Sequence, residues 1–455
     1  MPGRRALRAP AGTALDANVL ALHPRTLWRF FKAQGLAFQA MCVYLVVEYV
    51  RPQQIFSAIL GFPLGQIALG TAVVAFFASG QLPKIRGAAS WLLMVFSLVL
   101  VASCFTAYSP DASFKDIRVW ISWVVIFLLI VNVVNTERRL VFFTFVWLLC
   151  NYYMSQGGAK QFALRGFTFR DYGIVGAPGW FQNSGEFGIA MCMLAAVSWH
   201  FYVAAKPHLT KWRKVFVLGM PVTAVLGVIG SSSRGAIVGM GALLFYNLLR
   251  SKQRVRTIIA LTAISGAIWF ILPPEQKARF DSAGDDKTSV SRRIYWRNGL
   301  DMAREHPVLG IGYNNWLVYY AARYSDSQSD FGIQLSHNIF VQCMSELGYT
   351  GLLVFIALIL ATLITNYQTR RLVTTRAGPR NDFALQLAYG LDGAMLSYIA
   401  AGFFVTVLYY PFFWINLAMT VALSTIVRNG AIMPVSRRPL SGVKPSRVAN
   451  RMARC

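Results

Sequence analysis

Long apolar runs, separated by short polar or charged stretches, recur along the whole chain. Each run is long enough to cross a hydrocarbon layer about 30 Å thick, and charged residues or Pro and Gly stand at its ends. The pattern predicts about twelve membrane spans, at 34–50, 58–80, 87–107, 117–135, 140–155, 183–205, 215–231, 235–250, 257–273, 337–366, 385–409 and 411–428. The elements at the start and around Pro411 are equally compatible with bent or re-entrant helices. We therefore expect an all-α polytopic membrane protein.

The composition supports this expectation. Hydrophobic residues make up 56% of the 455 residues and charged residues only 14%, whereas soluble domains carry roughly 25% charged residues. An ordinary soluble enzyme is therefore excluded. The six cysteines form no CxxC pair, and five of them lie inside apolar runs. This pattern favours packing over a disulfide framework or a zinc site.

The net charge is +26, and the Lys and Arg residues are distributed unevenly between the two predicted sides of the membrane. When the N-terminus is placed in the cytoplasm, 29 of the 44 Lys and Arg residues fall in inward segments and 15 in outward ones. This is the bias expected of a membrane protein with both termini inside. Contact with anionic membrane lipids accounts for the rest of the charge, so nucleic-acid binding is not expected. No small-residue cleavage site follows the basic N-terminal stretch.

Two outward loops are long enough to hold a site, one at 156–182 and one at 274–336. The larger loop contains a predicted amphipathic helix from Ser291 to Glu305, followed by a turn-rich stretch. The expected organisation is an N-terminal tail at 1–33, spans one to nine at 34–273, a loop or lid at 274–336, spans ten to twelve at 337–428, and a basic tail at 429–455.

Arg234 lies where the seventh span turns into the eighth with almost no loop, in the run Gly230–Gly235. A buried Arg is costly in a membrane, so this side chain should face a cavity or an anionic partner. No acid in the adjoining spans neutralises it, and the small residues around it let the backbone approach a ligand. The alternative is an Arg that extends to the membrane interface.

Arg292 and Trp296 lie one turn apart on the predicted amphipathic helix, so they share a face. A guanidinium matches phosphate oxygens in a two-point contact, and an indole ring packs on a sugar or an isoprenoid. Arg293 lies next to Arg292. The alternative is a solvated helix face, on which the arginines, Arg297 above all, pair with Asp301 and Glu305.

His337 stands at the predicted outer mouth of the tenth span, followed by Asn338 and, at near-helical spacing, Gln342 and Glu346. Histidine is the side chain best suited to accept a proton near neutral pH. A histidine that caps the helix or is satisfied in the core is the alternative. His306, directly before a proline, has the position of a turn residue.

A weaker candidate is the outward stretch from Arg165 to Glu186, which adds Arg165 and Arg170. A surface loop that caps the sixth span explains much of this stretch.

The motifs of several other enzyme classes do not occur in the chain: there is no outward DxD pair, no GxxxxGK[ST] and no HExxH. A metal-dependent glycosyltransferase, an ATPase and a zinc protease are therefore disfavoured.

Four motifs in order carry a family resemblance. They are Ser231-Ser232-Ser233-Arg234-Gly235, Ser291-Arg292-x-x-x-Trp296, His306-Pro307-x-x-Gly310-x-Gly312-x-x-Asn315-Trp316, and His337-Asn338-x-x-x-Gln342-x-x-x-Glu346-x-Gly348-x-x-Gly351-Leu352. Together they resemble the bacterial O-antigen ligase and polymerase superfamily. The early Glu48–Gln53 stretch is similar to the O-glycosylation ligases associated with exosortases. Pro178–Asn183 departs from the Asn-Pro-Asn-like element of many polymerases, which disfavours a polymerase.

The resemblance implies a GT-C-like membrane glycosyltransferase of the inner membrane, with a large periplasmic loop containing short helices between spans nine and ten. The implied donor is a glycan on undecaprenyl diphosphate and the implied acceptor is lipid A core, with neither metal nor cofactor. His337 is the implied catalytic residue. Donor contacts are expected from Arg234, Arg292, Arg293, Arg170 and Arg165, with Trp296, Asn338 and Glu346 in support. Protein O-glycosylation, polymerisation, transport and a structural subunit are the alternatives.

Overall fold

The computed structural model describes residues 17–168, 173–271, 287–324, 332–376 and 382–430. Within these ranges all regular elements are helical. The fifteen main helices are α1 (Pro24–Lys32), α2 (Leu36–Val50), α3 (Leu64–Ala78), α4 (Gly87–Phe105), α5 (Pro110–Val133), α6 (Glu137–Leu164), α7 (Ser184–Ala205), α8 (Lys211–Gly230), α9 (Arg234–Arg250), α10 (Arg254–Ile271), α11 (Lys287–Glu305), α12 (Trp316–Tyr324), α13 (Ile339–Arg376), α14 (Asp382–Gly402) and α15 (Pro411–Arg428). Short helical turns cover Ala17–Leu20, Pro52–Ile55, Ser57–Ile59 and Lys206–His208.

The all-α membrane class is supported by the length and composition of these helices. In the described part of the chain, six are long and apolar enough to cross a membrane, namely α4, α5, α7, α8, α13 and α15. Each of the twelve predicted spans overlaps a helix, while the count of twelve spans stays a prediction. Backbone groups in lipid must be satisfied within the segment, which is why apolar runs of this length fold as helices.

The bundle is built around α7 and α15. Other parts of the protein bury 83% of the apolar segment of α7 and 94% of that of α15, but only 39% of that of α4. Trp120, Phe96 and Trp414 meet in the core with ring centroids 4.7–5.7 Å apart. The five described cysteines are buried and unbridged, as predicted. Cys455 lies outside the described residues.

The sequence prediction differs from the structure at two of these elements. The stretch 385–409 was expected to be one continuous span, but α14 ends at Gly402 and residues 403–410 are non-helical. Helix α1 lies in the part of the chain expected to be a tail, where Phe30 and Phe31 pack on Phe142 of α6 with centroids 5.5 and 5.7 Å apart. Aromatic burial against α6 therefore orders this segment.

Helix α11 confirms the predicted amphipathic helix, although it begins at Lys287 rather than Ser291. Its buried face forms a second, smaller core with α12 and the start of α13. The aromatic members of this core are Tyr295, Trp316, Tyr319 and Tyr320. The described part of the 274–336 segment is thus a packed unit rather than an open loop. Residues 272–286 and 325–331 lie outside the described residues.

A break in α13 attaches this unit to the bundle. Gly348 has φ +68° and ψ −175°, so the helix is interrupted there. The carbonyls of Ser345 and Glu346 instead accept hydrogen bonds from Ile311 N–H at 2.8 Å and Gly312 N–H at 3.0 Å. Satisfying freed carbonyls in this way is required of buried backbone. The break therefore fixes the 307–312 stretch against α13.

A largely buried ion pair ties the C-terminal part of α13 to the middle of α14. Asp392 pairs with Arg370, and its Oδ1 accepts a 2.8 Å hydrogen bond from Asn366. Buried charges in a membrane protein are paired because an isolated one is costly. This pair sets the register of the two helices whose other ends border residues 332–338 and 403–410.

Candidate active site

Arg234 begins α9 directly after a tight three-residue turn. Ser232 in this turn has φ +53°, a left-handed conformation that is uncommon for a residue with a side chain. Ser233 caps the helix, because its hydroxyl accepts from Ala236 N–H at 3.3 Å. Arg234 is partly exposed. The guanidinium is therefore carried at a helix N-terminus, the positive end of the helix dipole.

The small residues around Arg234 make room for other parts of the chain. A Cβ built on Gly235 would lie 2.9 Å from Cβ of Phe404, and one built on Gly188 would lie 2.4 Å from Cβ of Ala236. Ile174 N–H donates to the carbonyl of Gly230 at 3.0 Å. The Gly-rich sequence thus brings α7, the 173–174 stretch and residues 403–410 close to the turn.

Helix α11 is fixed by its aromatic residues. Trp296 Nε1–H donates to the carbonyl of Ser336 at 3.0 Å, and its ring lies 5.3 Å from that of Phe403. Tyr295 is buried, with its ring centroid 6.4 Å from that of His337. Arg292 lies one turn before Trp296 and is partly buried, whereas Arg293 is exposed. Arg292 is therefore the α11 arginine that lies on the same face as the histidine.

His337 is held in a strained backbone conformation just before α13. Its φ is +51°, and its N–H donates to the hydroxyl of Thr406 at 2.8 Å. Burial, and secondly the positive charge of Arg292, lower the pKa of His337 to about 4. The imidazole is therefore neutral at pH 7 and able to accept a proton. Its Nε2 lies 3.3 Å from Oε1 of Gln334.

Residues 403–410 contact the three segments described above. Phe404 contacts the helix that begins with Arg234, Phe403 contacts Trp296 of α11, and Thr406 binds the backbone of His337. The segments that carry the three predicted residues Arg234, Arg292 and His337 thus contact one loop, although 103 positions separate the first residue from the last. Thr406 and Phe403 were not predicted from the sequence, because they lie in an apolar run in which no charged residue or proline marks the end of the helix.

Two of the predicted supporting residues act through the scaffold. Asn338 is 2% exposed and caps α13, its Oδ1 accepting from Phe340 N–H at 2.8 Å and Val341 N–H at 3.2 Å. Glu346 is fully buried and accepts from Trp316 N–H at 3.3 Å and Gln342 Nε2 at 3.4 Å. Neither side chain is open to a ligand. Both instead position the segments on either side of His337.

Of the two remaining predicted arginines, Arg165 lies at the end of α6. Arg165 follows α6 directly and is partly exposed. Phe162, one turn earlier, would meet a Cβ on Gly230 at 3.1 Å, so this helix end lies beside the turn that precedes Arg234. Arg170 lies outside the described residues. The donor contacts expected of both arginines stay predictions.

No cluster of three or more metal-ligating side chains occurs in the part of the chain that the structure describes. The segments that contact residues 403–410 carry two guanidinium groups, of Arg234 and Arg292, and a helix N-terminus. Such groups stabilise an anion that forms during a reaction. The site can thus hold a phosphate-bearing ligand beside a neutral histidine.

Comparison with known families identifies a related segment of the chain. The family model described as O-Antigen ligase matches residues 219–356. The matched segment runs from within α8 to within α13 and contains Arg234, Arg292 and His337. The resemblance predicted from the sequence motifs is thereby confirmed for this segment. No curated protein sequence matches the chain.

Proposed function

We propose that this chain, whose residues 219–356 match the O-antigen ligase family model, is a metal-independent glycosyltransferase. In this proposal it moves a glycan from undecaprenyl diphosphate to lipid A core oligosaccharide at the periplasmic face of the inner membrane. The observation that supports the proposal is that the segments carrying Arg234, Arg292 and His337 all contact residues 403–410. Both termini then lie in the cytoplasm.

The reaction is a single displacement at C1 of the donor sugar. A hydroxyl oxygen of the acceptor forms the new bond to C1 as the bond from C1 to the diphosphate oxygen breaks, which inverts the configuration. The electron pair of the broken bond leaves with the diphosphate. Arg234 and Arg292 stabilise that developing charge without a metal, since each guanidinium offers a planar two-point contact.

His337 accepts the proton of the attacking hydroxyl. Its low pKa keeps the imidazole in the neutral form required for this role. A bound diphosphate offsets the charge of Arg292, so the basicity of His337 rises when the donor is present. The histidine therefore becomes a stronger base once there is a proton to take.

Transfer by the purified protein tests this function. The assay contains undecaprenyl-diphosphate glycan and, in separate reactions, lipid A core, a periplasmic protein or a second glycan chain. Transfer to lipid A core supports the proposal, whereas transfer to protein or to the growing glycan assigns the chain to the alternative reactions of the superfamily. Absence of transfer to all three acceptors contradicts it.

His337→Ala tests the catalytic assignment. The variant should lose about 10²–10⁴-fold in turnover, the usual value of general-base assistance, while donor binding is retained. His306→Ala is the matched control, because His306 packs on Tyr319 at 5.8 Å on the same unit without bordering residues 403–410. If His337→Gln is nearly as active as the wild type, His337 positions the acceptor and is not the base.

A further inference from the structure

A cluster of aromatic and charged side chains beside the proposed site has no role in the reaction described above. It consists of Trp180, Tyr410, Glu186, Glu48 and Arg51. The cluster lies outside the segment 219–356 that matches the ligase family. It includes Glu48 and Arg51 from the Glu48–Gln53 stretch and Trp180 from the Pro178–Asn183 stretch. The proposed reaction uses neither of these two stretches.

Trp180 and Tyr410 form an aromatic pair with a carboxylate at its edge. Their ring centroids lie 4.9 Å apart at an angle of 65°, and both side chains are partly exposed. The hydroxyl of Tyr410 donates to Oε1 of Glu186 at 2.7 Å, and Oε2 of Glu186 accepts from Asn183 N–H at 3.1 Å. A carboxylate can accept about four hydrogen bonds, so Glu186 retains acceptor capacity.

The indole of Trp180 is held in place from its other side. Its Nε1–H donates to Oε1 of Glu48 at 2.5 Å, and the same oxygen pairs with Arg51 at 3.0 Å. Gly179, with φ +96°, lies so close to the Arg51 guanidinium that a Cβ there would be 2.7 Å from a guanidinium nitrogen. The aromatic pair is thus preorganised, which lowers the entropic cost of binding.

The cluster is joined to the proposed reaction site by residues 403–410. Thr406 binds the backbone of His337, and Tyr410 lies only four residues later. Four residues of extended chain span at most about 14 Å. Val405, directly before Thr406, has a side-chain carbon 3.0 Å from a Cβ built on Gly185, the neighbour of Glu186. An oligosaccharide that reacts beside His337 therefore has this cluster within reach of its next sugars.

We propose that Trp180, Tyr410 and Glu186 form a saccharide subsite for sugars one or more units away from the reacting bond. Sugar rings present C–H faces that pack on aromatic rings, and their hydroxyls donate to carboxylates. A few polar groups around an aromatic surface give a sugar site its orientation and specificity. This inference rests on the proposed glycosyltransferase function, and the saccharide belongs to either the donor glycan or the acceptor core.

Kinetics with substrates of different length test the subsite. Trp180→Ala and Glu186→Gln are compared with Trp212→Ala, a control in which the altered Trp is 84% exposed. The first two variants should raise KM for a multi-sugar substrate roughly five- to tenfold. KM for an undecaprenyl-diphosphate monosaccharide, and turnover with it, should stay unchanged. A dependence on donor length assigns the subsite to the donor, and a dependence on core length assigns it to the acceptor.

If the substitutions raise KM equally for short and long substrates, or raise it for neither, the subsite proposal is wrong. Calorimetric titration with the free oligosaccharide separates this outcome from failure of the proposed function. Binding to the wild type that is lost in Trp180→Ala supports the subsite even if the wild type transfers no glycan. Binding that is equal in the wild type and Trp180→Ala, or absent from both, contradicts it.

Discussion

The backbone N–H of His337 donates a 2.8 Å hydrogen bond to the hydroxyl of Thr406. The bond joins the stretch before α13 to the loop between α14 and α15, and it holds a histidine whose φ is +51°. Such conformations cost about 1–3 kcal/mol and persist only where the surroundings impose them. Thr406 is therefore a positioning residue for the proposed base.

Thr406→Val should reduce turnover by roughly tenfold, because it leaves the His337 N–H without its acceptor, a loss of about 1–3 kcal/mol. Thr406→Ser keeps the hydroxyl and should restore most of the activity. The measurement is kcat and KM for both variants, with thermal unfolding in detergent to confirm folding. If Val and Ser variants behave alike, the hydrogen bond does not position the histidine.

The acidic limb of the pH profile should lie well below the usual histidine range. His337 with a pKa of about 4 stays neutral until the pH falls through that value, so kcat/KM should fall there rather than near 6.5. Arg292→Gln removes one cause of the lowered pKa and should move the limb to higher pH. A limb that stays in place in Arg292→Gln contradicts electrostatic coupling between the two residues.

The roles of Arg234 and Arg292 should be geometric as well as electrostatic. Arg→Lys keeps the charge but loses the planar two-point contact with phosphate oxygens. Each Lys variant should therefore lose transfer substantially, while Arg304→Lys, at an exposed position of the same helix as Arg292, serves as the matched control. Near-normal turnover in both Lys variants would mean that a diffuse positive field is sufficient.

Gly310→Ala should destabilise the protein much more than Gly332→Ala. Both glycines have positive φ, +67° and +72°, so both substitutions carry similar backbone strain. A Cβ on Gly310 would lie 2.4 Å from the backbone of Glu346, whereas one on Gly332 meets nothing within 4 Å. Thermal unfolding measures the difference. Equal losses would show that the contact of residues 307–312 with α13 contributes little.

Transfer should survive EDTA. The expectation follows from the arginines that can neutralise a diphosphate and from the lack of an outward carboxylate pair in the sequence. The assay is transfer before and after chelation, with a divalent ion added back. Activity that is lost in EDTA and restored by the ion would reveal a metal site.

Much of this protein was predictable from its sequence because hydrophobic runs and helix signals are local. An apolar run in lipid must satisfy its backbone within itself, so the runs determine where helices form. The Ser233–Arg234 turn and α11 were predicted for the same reason, since caps and amphipathic spacing depend on near neighbours. The four sequence motifs, which occur in the order typical of the ligase family, also allowed the family resemblance to be predicted.

Only the tertiary structure decided which residues face one another. The loop at 403–410 is as apolar as the helices beside it, and its partners are distant in sequence: Thr406 meets His337 69 positions away, and Tyr410 meets Glu186 224 positions away. The break at Gly348 likewise depends on the 307–312 stretch, which supplies N–H donors to the freed carbonyls. Such pairings depend on how helices cross in space, a property that no local pattern of residues encodes.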